Sequence, residues 1–220
     1  MITPTMTPLE VARDARQDLR AIWNKVKGTC ASQERRHRTQ RDRNCILETH
    51  LHWRSPRGNN WLLVLRTNRK ETTIGSMVWY RGRDERLRAV HVALVGESAI
   101  YFSAHLLERY MERFDPSRNP IQRLGDFFFA NHSLVTHVLQ DHGNGQQDVM
   151  AGLVHGLATG VGDTTTKLIS LTTFLDYGLL GDDQLKLAEM LDFHRELQTY
   201  PAGFRAHVLR MIEEERKKAA

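Results

Sequence analysis

The chain has 220 residues, 40% hydrophobic and 26% charged, with a formal net charge of +5 and a pI near 9.4. That length and composition describe a globular chain able to bury its own core, and exclude low-complexity or collagen-like sequence. The basic balance points to an anionic partner: nucleic acid, a phosphate ligand or an acidic protein.

Cys30 and Cys45 stand at no CxxC spacing, and two cysteines are too few for a zinc cluster, which favours free thiols over a disulfide. The opening residues, Met1 to Thr7, carry neither the basic nor the apolar run of a secretory leader. No stretch reaches the roughly eighteen apolar residues of a membrane helix, so a cytoplasmic protein without membrane contact is expected.

In chain order, Thr7-Pro-Leu-Glu10 is a capping box with proline at the first helical position. Val11, Ala15, Leu19, Ile22, Trp23 and Val26 mark one apolar face, and Gly28 is the expected end of that helix. Residues 32–44 are polar and arginine-dense, with no apolar period. They read as a solvated loop, or as an arm whose Arg35, Arg36, Arg38, Arg41 and Arg43 meet phosphates. Five strand signals follow, Ile46–Trp53, Trp61–Arg66, Thr72–Arg81, Leu87–Val95 and Ala99–Phe102, joined by short polar turns. They predict an antiparallel meander. His50 and His52 share one face of the first strand, but a third metal ligand in register is missing, so packing roles are expected.

From Phe102 to Phe114 the period changes to 3.6. Ser103 is the expected N-cap and Asp115-Pro116 the expected stop. Leu107, Tyr110, Met111 and Phe114 form the apolar stripe, while His105, Arg109, Glu112 and Arg113 take the polar side. One short helix could thus hold an imidazole and two guanidiniums about 5–6 Å apart, which suits a phosphate ester. The same groups could equally serve as a capping histidine and intrahelical pairs with Glu108 and Glu112.

A second helix is expected over Ile121–Asn131, with Phe127, Phe128 and Phe129 in the core. His132, His137 and His142 recur every fifth residue, a period of neither helix nor strand, and are expected in a loop without a metal. Asp148–Thr159 and Lys167–Leu175 read as two strands joined by a turn at Gly160-Val-Gly-Asp163. That glycine stretch lacks both the Gly-Lys-Ser/Thr of a P-loop and GxGxxG, so no cofactor is expected. In the later strand Ser170 and Thr172 alternate with Ile169, Leu171 and Thr173, presenting hydroxyls to phosphate oxygens. Asp182 or Asp183 should open a C-terminal helix, followed by a charged one from Phe204 onward.

The expected fold is α+β: an antiparallel β-sheet (meander plus hairpin) with a central short helix and flanking N- and C-terminal helices. One domain spans 1–220, with an N-terminal helix at 1–28, a sheet-containing core at 45–175 and C-terminal helices at 182–220.

Phe102-Ser-Ala-His-Leu-Leu-Glu-Arg-Tyr-Met-Glu-Arg-Phe114, followed by Leu171-Thr-Thr-Phe-Leu175, resembles the barnase/EndoU/colicin/RelE-like ribonuclease group. Bacterial and phage branches of that group show a His-x-x-x-Arg-x-x-x-Arg helix, then a small antiparallel sheet ending in a hydroxyl-bearing strand. The resemblance covers Ala99 to Leu175. It implies metal-independent cleavage of RNA by attack of the 2′-hydroxyl on the adjacent phosphate. His105 would then be acid or base, Arg109 and Arg113 would steady the phosphorane, and Thr173 or Thr172 would hold a non-bridging oxygen. His155 would be the second proton-transfer group. The alternative is a non-catalytic basic module that grips RNA or another anionic partner through this patch and the arginine arm.

Overall fold

The structure, a computed structural model, describes residues 1–40, 45–68, 71–114, 119–197 and 208–211. Two helices, α1 (Pro8–Arg16) and α2 (Leu19–Thr39), precede a five-stranded meander. Its strands are β1 (Leu47–Arg54), β2 (Asn60–Thr67), β3 (Thr72–Arg81), β4 (Leu87–Val92) and β5 (Ala99–Phe102). Helices α3 (Ala104–Phe114) and α4 (Pro120–Asn131) follow. A second meander comprises β6 (Val135–Asp141), β7 (Gln146–Leu153), β8 (Gly156–Asp163) and β9 (Leu168–Asp176), and α5 (Asp182–Leu197) comes after it. All nine strands form one sheet in the order β1-β2-β3-β4-β5-β9-β8-β7-β6. Every pairing is antiparallel except β5 with β9, where Ala99 to Phe102 run alongside Leu168 to Leu171. The α+β class, the meander and the flanking helices are as the sequence predicts.

Strand alternation divides the core between the two faces. Leu63, Leu65, Val78, Val90 and Val92 turn toward Val11, Ala15, Ile22 and Val26 of α1 and α2. Leu62, Val64, Met77, Ala89 and Leu171 turn the other way, toward Leu106, Leu107 and Tyr110 of α3 and Leu124, Phe127 and Phe128 of α4. Each such side chain, fully buried, contributes roughly 1.5–3 kcal/mol. Beyond α3, Met150 and Leu157 meet Ala188 and Leu191 of α5. No helix among the described residues is long and apolar enough to cross a membrane.

The N-terminal helix departs from its prediction at two points. The Thr7–Glu10 capping box is present, but the chain breaks after Arg16 and resumes as α2. At that corner Asp18 is fully buried, accepting hydrogen bonds from Asn59 Nδ2 (2.9 Å) and Trp61 Nε1 (2.9 Å), with the Arg57 guanidinium at 3.7 Å. A tertiary anchor, invisible in a hydropathy pattern, therefore sets the bend. Gly28 does not end α2, which runs to Thr39 because its buried stripe continues in polar residues. Gln33 donates to Thr49 Oγ1 (2.7 Å) and accepts from Thr67 Oγ1 (2.9 Å), and His37 Nε2 donates to the Cys45 carbonyl (2.9 Å). Trp23, expected on the buried face, is 48% exposed.

The second half of the sheet also differs. The expected loop across His137 and His142 is strand β6 and its turn. The expected strand 148–159 is two strands, because the chain reverses at Val154-His155. Gly160 lies inside β8 rather than in a turn, since a Cβ there would stand 1.9 Å from the Ser170 carbonyl oxygen. Its bareness permits the bulge that shifts β8–β9 register between Thr159 and Gly160. Cys30 and Cys45 are both free. The expected stop at Asp115-Pro116 lies outside the described residues, as does most of the final helix, of which 208–211 is helical.

Replacing Asp18 by alanine would leave the buried Trp61 indole N–H without an acceptor and the Asn59 amide with Asp14 alone (3.1 Å), while Arg57 keeps its ion pair with Asp14. It should cost about 2–3 kcal/mol of unfolding free energy. Urea denaturation followed by Trp61 emission measures this, and a loss below about 1 kcal/mol would show that the corner is not held by Asp18.

Candidate functional site

Helix α3 starts where the sheet changes from antiparallel to parallel pairing. Ser103 caps it, accepting from Leu106 N (3.2 Å), and also ties it to β9: Ser103 N donates to the Leu171 carbonyl (3.0 Å) and its hydroxyl to the Thr172 carbonyl (3.1 Å). His105 and Arg109 follow, one turn apart and both exposed. Neither makes a side-chain hydrogen bond or ion pair with any described residue. Thr172, also exposed, stands beside the start of the helix. The structure thus leaves His105 and Arg109 on the solvent side of α3 and ties the Thr172 backbone to the helix cap.

The other residues of the predicted site lie elsewhere. Arg113 is ion-paired with Asp176 at the far end of β9, so its charge is neutralised. Phe174 turns its ring into Tyr110 and Phe114 of α3, so strand alternation sends Thr173, paired with Thr159, to the opposite face. His155, in the β7–β8 turn, stacks on Phe114 at 4.2 Å between ring centroids. Phe114 is nine residues, or about 13 Å of helix, beyond His105. That separation is too great for His155 and His105 to share one phosphate. Burial and the nearby Arg195 both lower the His155 pKa. Glu108, a possible partner for Arg109, is held instead by Arg86, with Nε to Oε1 at 2.6 Å.

The expected arginine arm is the end of α2. Arg35, Arg36 and Arg38 are exposed there, while Arg41 and Arg43 lie outside the described residues. Along its length α2 carries six cations, Arg20, Lys25, Lys27, Arg35, Arg36 and Arg38, against the single acid Glu34. That net of +5 equals the net charge of the whole chain. None of the six makes a side-chain hydrogen bond or ion pair among the described residues. At 100° per residue Arg35 falls opposite the sheet-facing residues, Arg20, Lys27 and Arg38 lie between that line and Trp23, and Lys25 and Arg36 fall on one flank. The half-exposed Trp23 lies on the other flank.

A further constellation, not singled out from sequence, occupies the α4 face of β1 to β4. Glu48 bridges His50 (Nε2 to Oε1, 2.5 Å) and Arg66 (Nε to Oε2, 3.1 Å), and His50 stacks on Phe129 at 3.9 Å. Arg66 Nη1 reaches His132 Nε2 (3.3 Å) and Ser133 Oγ (3.4 Å). Because a guanidinium only donates, the His132 proton sits on Nδ1, which bonds the Phe129 carbonyl (2.8 Å). Burial pushes the His132 pKa down, and burial together with His132 holds that of His91 near 4. Among the described residues no three His, Cys, Asp or Glu side chains are placed to hold a metal ion. The sequence signal for this cluster was small: His91 shares a strand face with buried Ala89, an inward polar position in an apolar run.

Comparison of the chain with protein-family models, curated proteins and solved structures gives no match in any of the three.

The neutral His91 makes stability depend on pH with a definite sign. Its folded pKa lies below the ordinary 6.5, so on acidification the unfolded chain takes up the proton first. The contribution is intact above pH 6.5 and lost as the pH falls toward 4, about 3 kcal/mol in all. His91→Phe should therefore lose about that much less stability than wild type between pH 7 and 4. Parallel pH–denaturation curves for the two proteins would refute this.

Proposed function

We propose that this protein binds nucleic acid through the exposed face of α2. The observation that carries the proposal is a charge of +5 on α2, equal to the net charge of the chain, whose six exposed cations have no side-chain partner among the described residues. Unpaired guanidiniums and ammoniums on a rod about 31 Å long can each replace a counterion at a phosphate, giving affinity that falls steeply with salt. Trp23 adds a face on which a base can stack, which a simple anion receptor would not need. Replacing Lys27, Arg35 and Arg38 together with glutamine should reduce the slope of log K against log salt by about 2 to 3, and weaken binding at moderate salt by at least tenfold. Fluorescence anisotropy with a labelled single strand at several salt concentrations measures both. An unchanged slope would refute the α2 surface.

A second reading, that the protein is a metal-independent ribonuclease, draws on a different observation. His105 and Arg109 stand exposed, one turn apart, with no side-chain partner among the described residues. An imidazole able to move a proton near neutral pH and a fixed guanidinium are groups that 2′-hydroxyl attack requires. Here Thr172, rather than Thr173, lies on the stretch of β9 bonded to the helix cap, while Arg113 pairs with Asp176 and His155 stacks on Phe114. Single-stranded RNA incubated with the protein in EDTA should yield 2′,3′-cyclic phosphate ends, and His105→Ala should lower the rate at least a hundredfold. Equal cutting by the two proteins would remove the enzymatic reading while leaving the α2 surface intact.

A further inference from the structure

A cleft of about 310 Å³ opens on the α4 face of the sheet, at the end where β2 passes into β3. Arg66, Thr73, Gly75, His91, His132 and Ser133 form its polar and flat walls. Three features restrict what it can hold. First, its described lining carries no net positive charge: Arg66 is balanced by Glu48, Glu71 stands at the rim, and both imidazoles are neutral at pH 7. A phosphate or carboxylate gains little there, whereas an uncharged polar ligand meets no desolvated countercharge. Second, His91 makes no hydrogen bond with any described residue, so its ring offers one N–H donor and one nitrogen acceptor to whatever enters. Third, the strand floor is closed at Gly75, where a Cβ would already touch His132 Cβ (3.4 Å) and Phe128 Cζ (3.5 Å), so a ligand enters from the Arg66 and Thr73 end. The Ser133 and Thr73 hydroxyls line the edge that such a ligand meets.

The position matters as much as the chemistry. The β2–β3 end that carries Arg66 and Thr73 on one face receives the C-terminal turn of α2 on the other. Thr67 bonds Gln33 (2.9 Å) and Thr72 bonds Glu34 (3.3 Å). Arg35, Arg36 and Arg38 flank those contacts. The cations at the end of α2 and the cleft thus lie at the same β2–β3 end of the sheet, on its two faces.

We propose that this cleft is a nucleobase pocket, which takes one unstacked base of the single strand that α2 holds by its phosphates. The proposal rests on the α2 surface for the arrival of the strand, and assigns to the cleft a preference for base over bare backbone. His91 is the residue that reads the base edge. Thr73, exposed at the rim, controls access.

The test compares a short single-stranded oligodeoxynucleotide with its abasic counterpart of the same length and charge. DNA lacks the 2′-hydroxyl that cleavage would require, so binding alone is read. Wild type should bind the base-bearing strand about tenfold more tightly than the abasic one. His91→Phe and the rim-blocking Thr73→Trp should each bring that ratio close to one, with the salt slope unchanged. Equal binding of the two strands by wild type overturns the pocket and leaves the α2 surface standing. Failure of both strands to bind overturns the α2 surface; the pocket is then judged with free nucleosides, by NMR of the His91 and His132 ring protons. Shifts that saturate and are absent in Thr73→Trp support it, and unmoved resonances overturn it.

Discussion

The parallel pairing of β5 with β9 is the constraint on which the rest of the molecule depends. Two antiparallel meanders, each locally closed by short turns, become one nine-stranded sheet only through the four residue pairs from Ala99–Leu168 to Phe102–Leu171. A parallel neighbour cannot be reached by a tight turn, so the chain must leave the sheet between these strands. It does so through α3 and α4, which cover the face that the first two helices leave open. The same junction sets the chemistry of α3. Its first residues are bonded to the backbone of Leu171 and Thr172, so His105 and Arg109 sit at the seam between the meanders.

The two faces of the sheet carry polar groups of opposite character. On one, α2 packs through Ile22, Val26, Gln33 and His37 and turns its cations to solvent, where they remain fully hydrated. On the other, imidazoles, a carboxylate and a guanidinium are drawn in beneath α4. There they satisfy one another, except for His91. Exposed cations keep their charge and act at a distance on phosphates, while half-buried imidazoles lose theirs and act by hydrogen bonding. A single-stranded ligand, with charge on its backbone and neutral hydrogen-bonding edges on its bases, is the polymer that could use both.

The candidate site on α3 was only partly legible in the sequence. The spacing of His105 and Arg109 on a polar helix face is a local property and survives folding. Arg113 was not legible, because its carboxylate partner, Asp176, arrives at the end of β9. Thr173 and Thr172 exchanged places because one bulge, allowed by the bare Cα of Gly160, reverses alternation along the strand. His155 lay hidden in a two-residue turn without glycine, proline or asparagine at its tip, so its strand was read through rather than broken.

What the chain determined by itself was the local grammar: the capping box at Thr7, the first meander with its polar turns, the amphipathic period of α3 and the basic excess. These depend on neighbours within a few residues, and short-range sterics and alternation suffice to set them. Tertiary structure alone decided where the N-terminal helix breaks into α1 and α2 and how far α2 runs, since Asp18, Gln33 and His37 find their partners on β1, β2 and the residues around them. It also decided that histidines from β4 and the end of α4 meet around a cleft. Polar groups separated by a hundred residues carry no periodic signature; only the pairing of strands brings them within hydrogen-bonding reach.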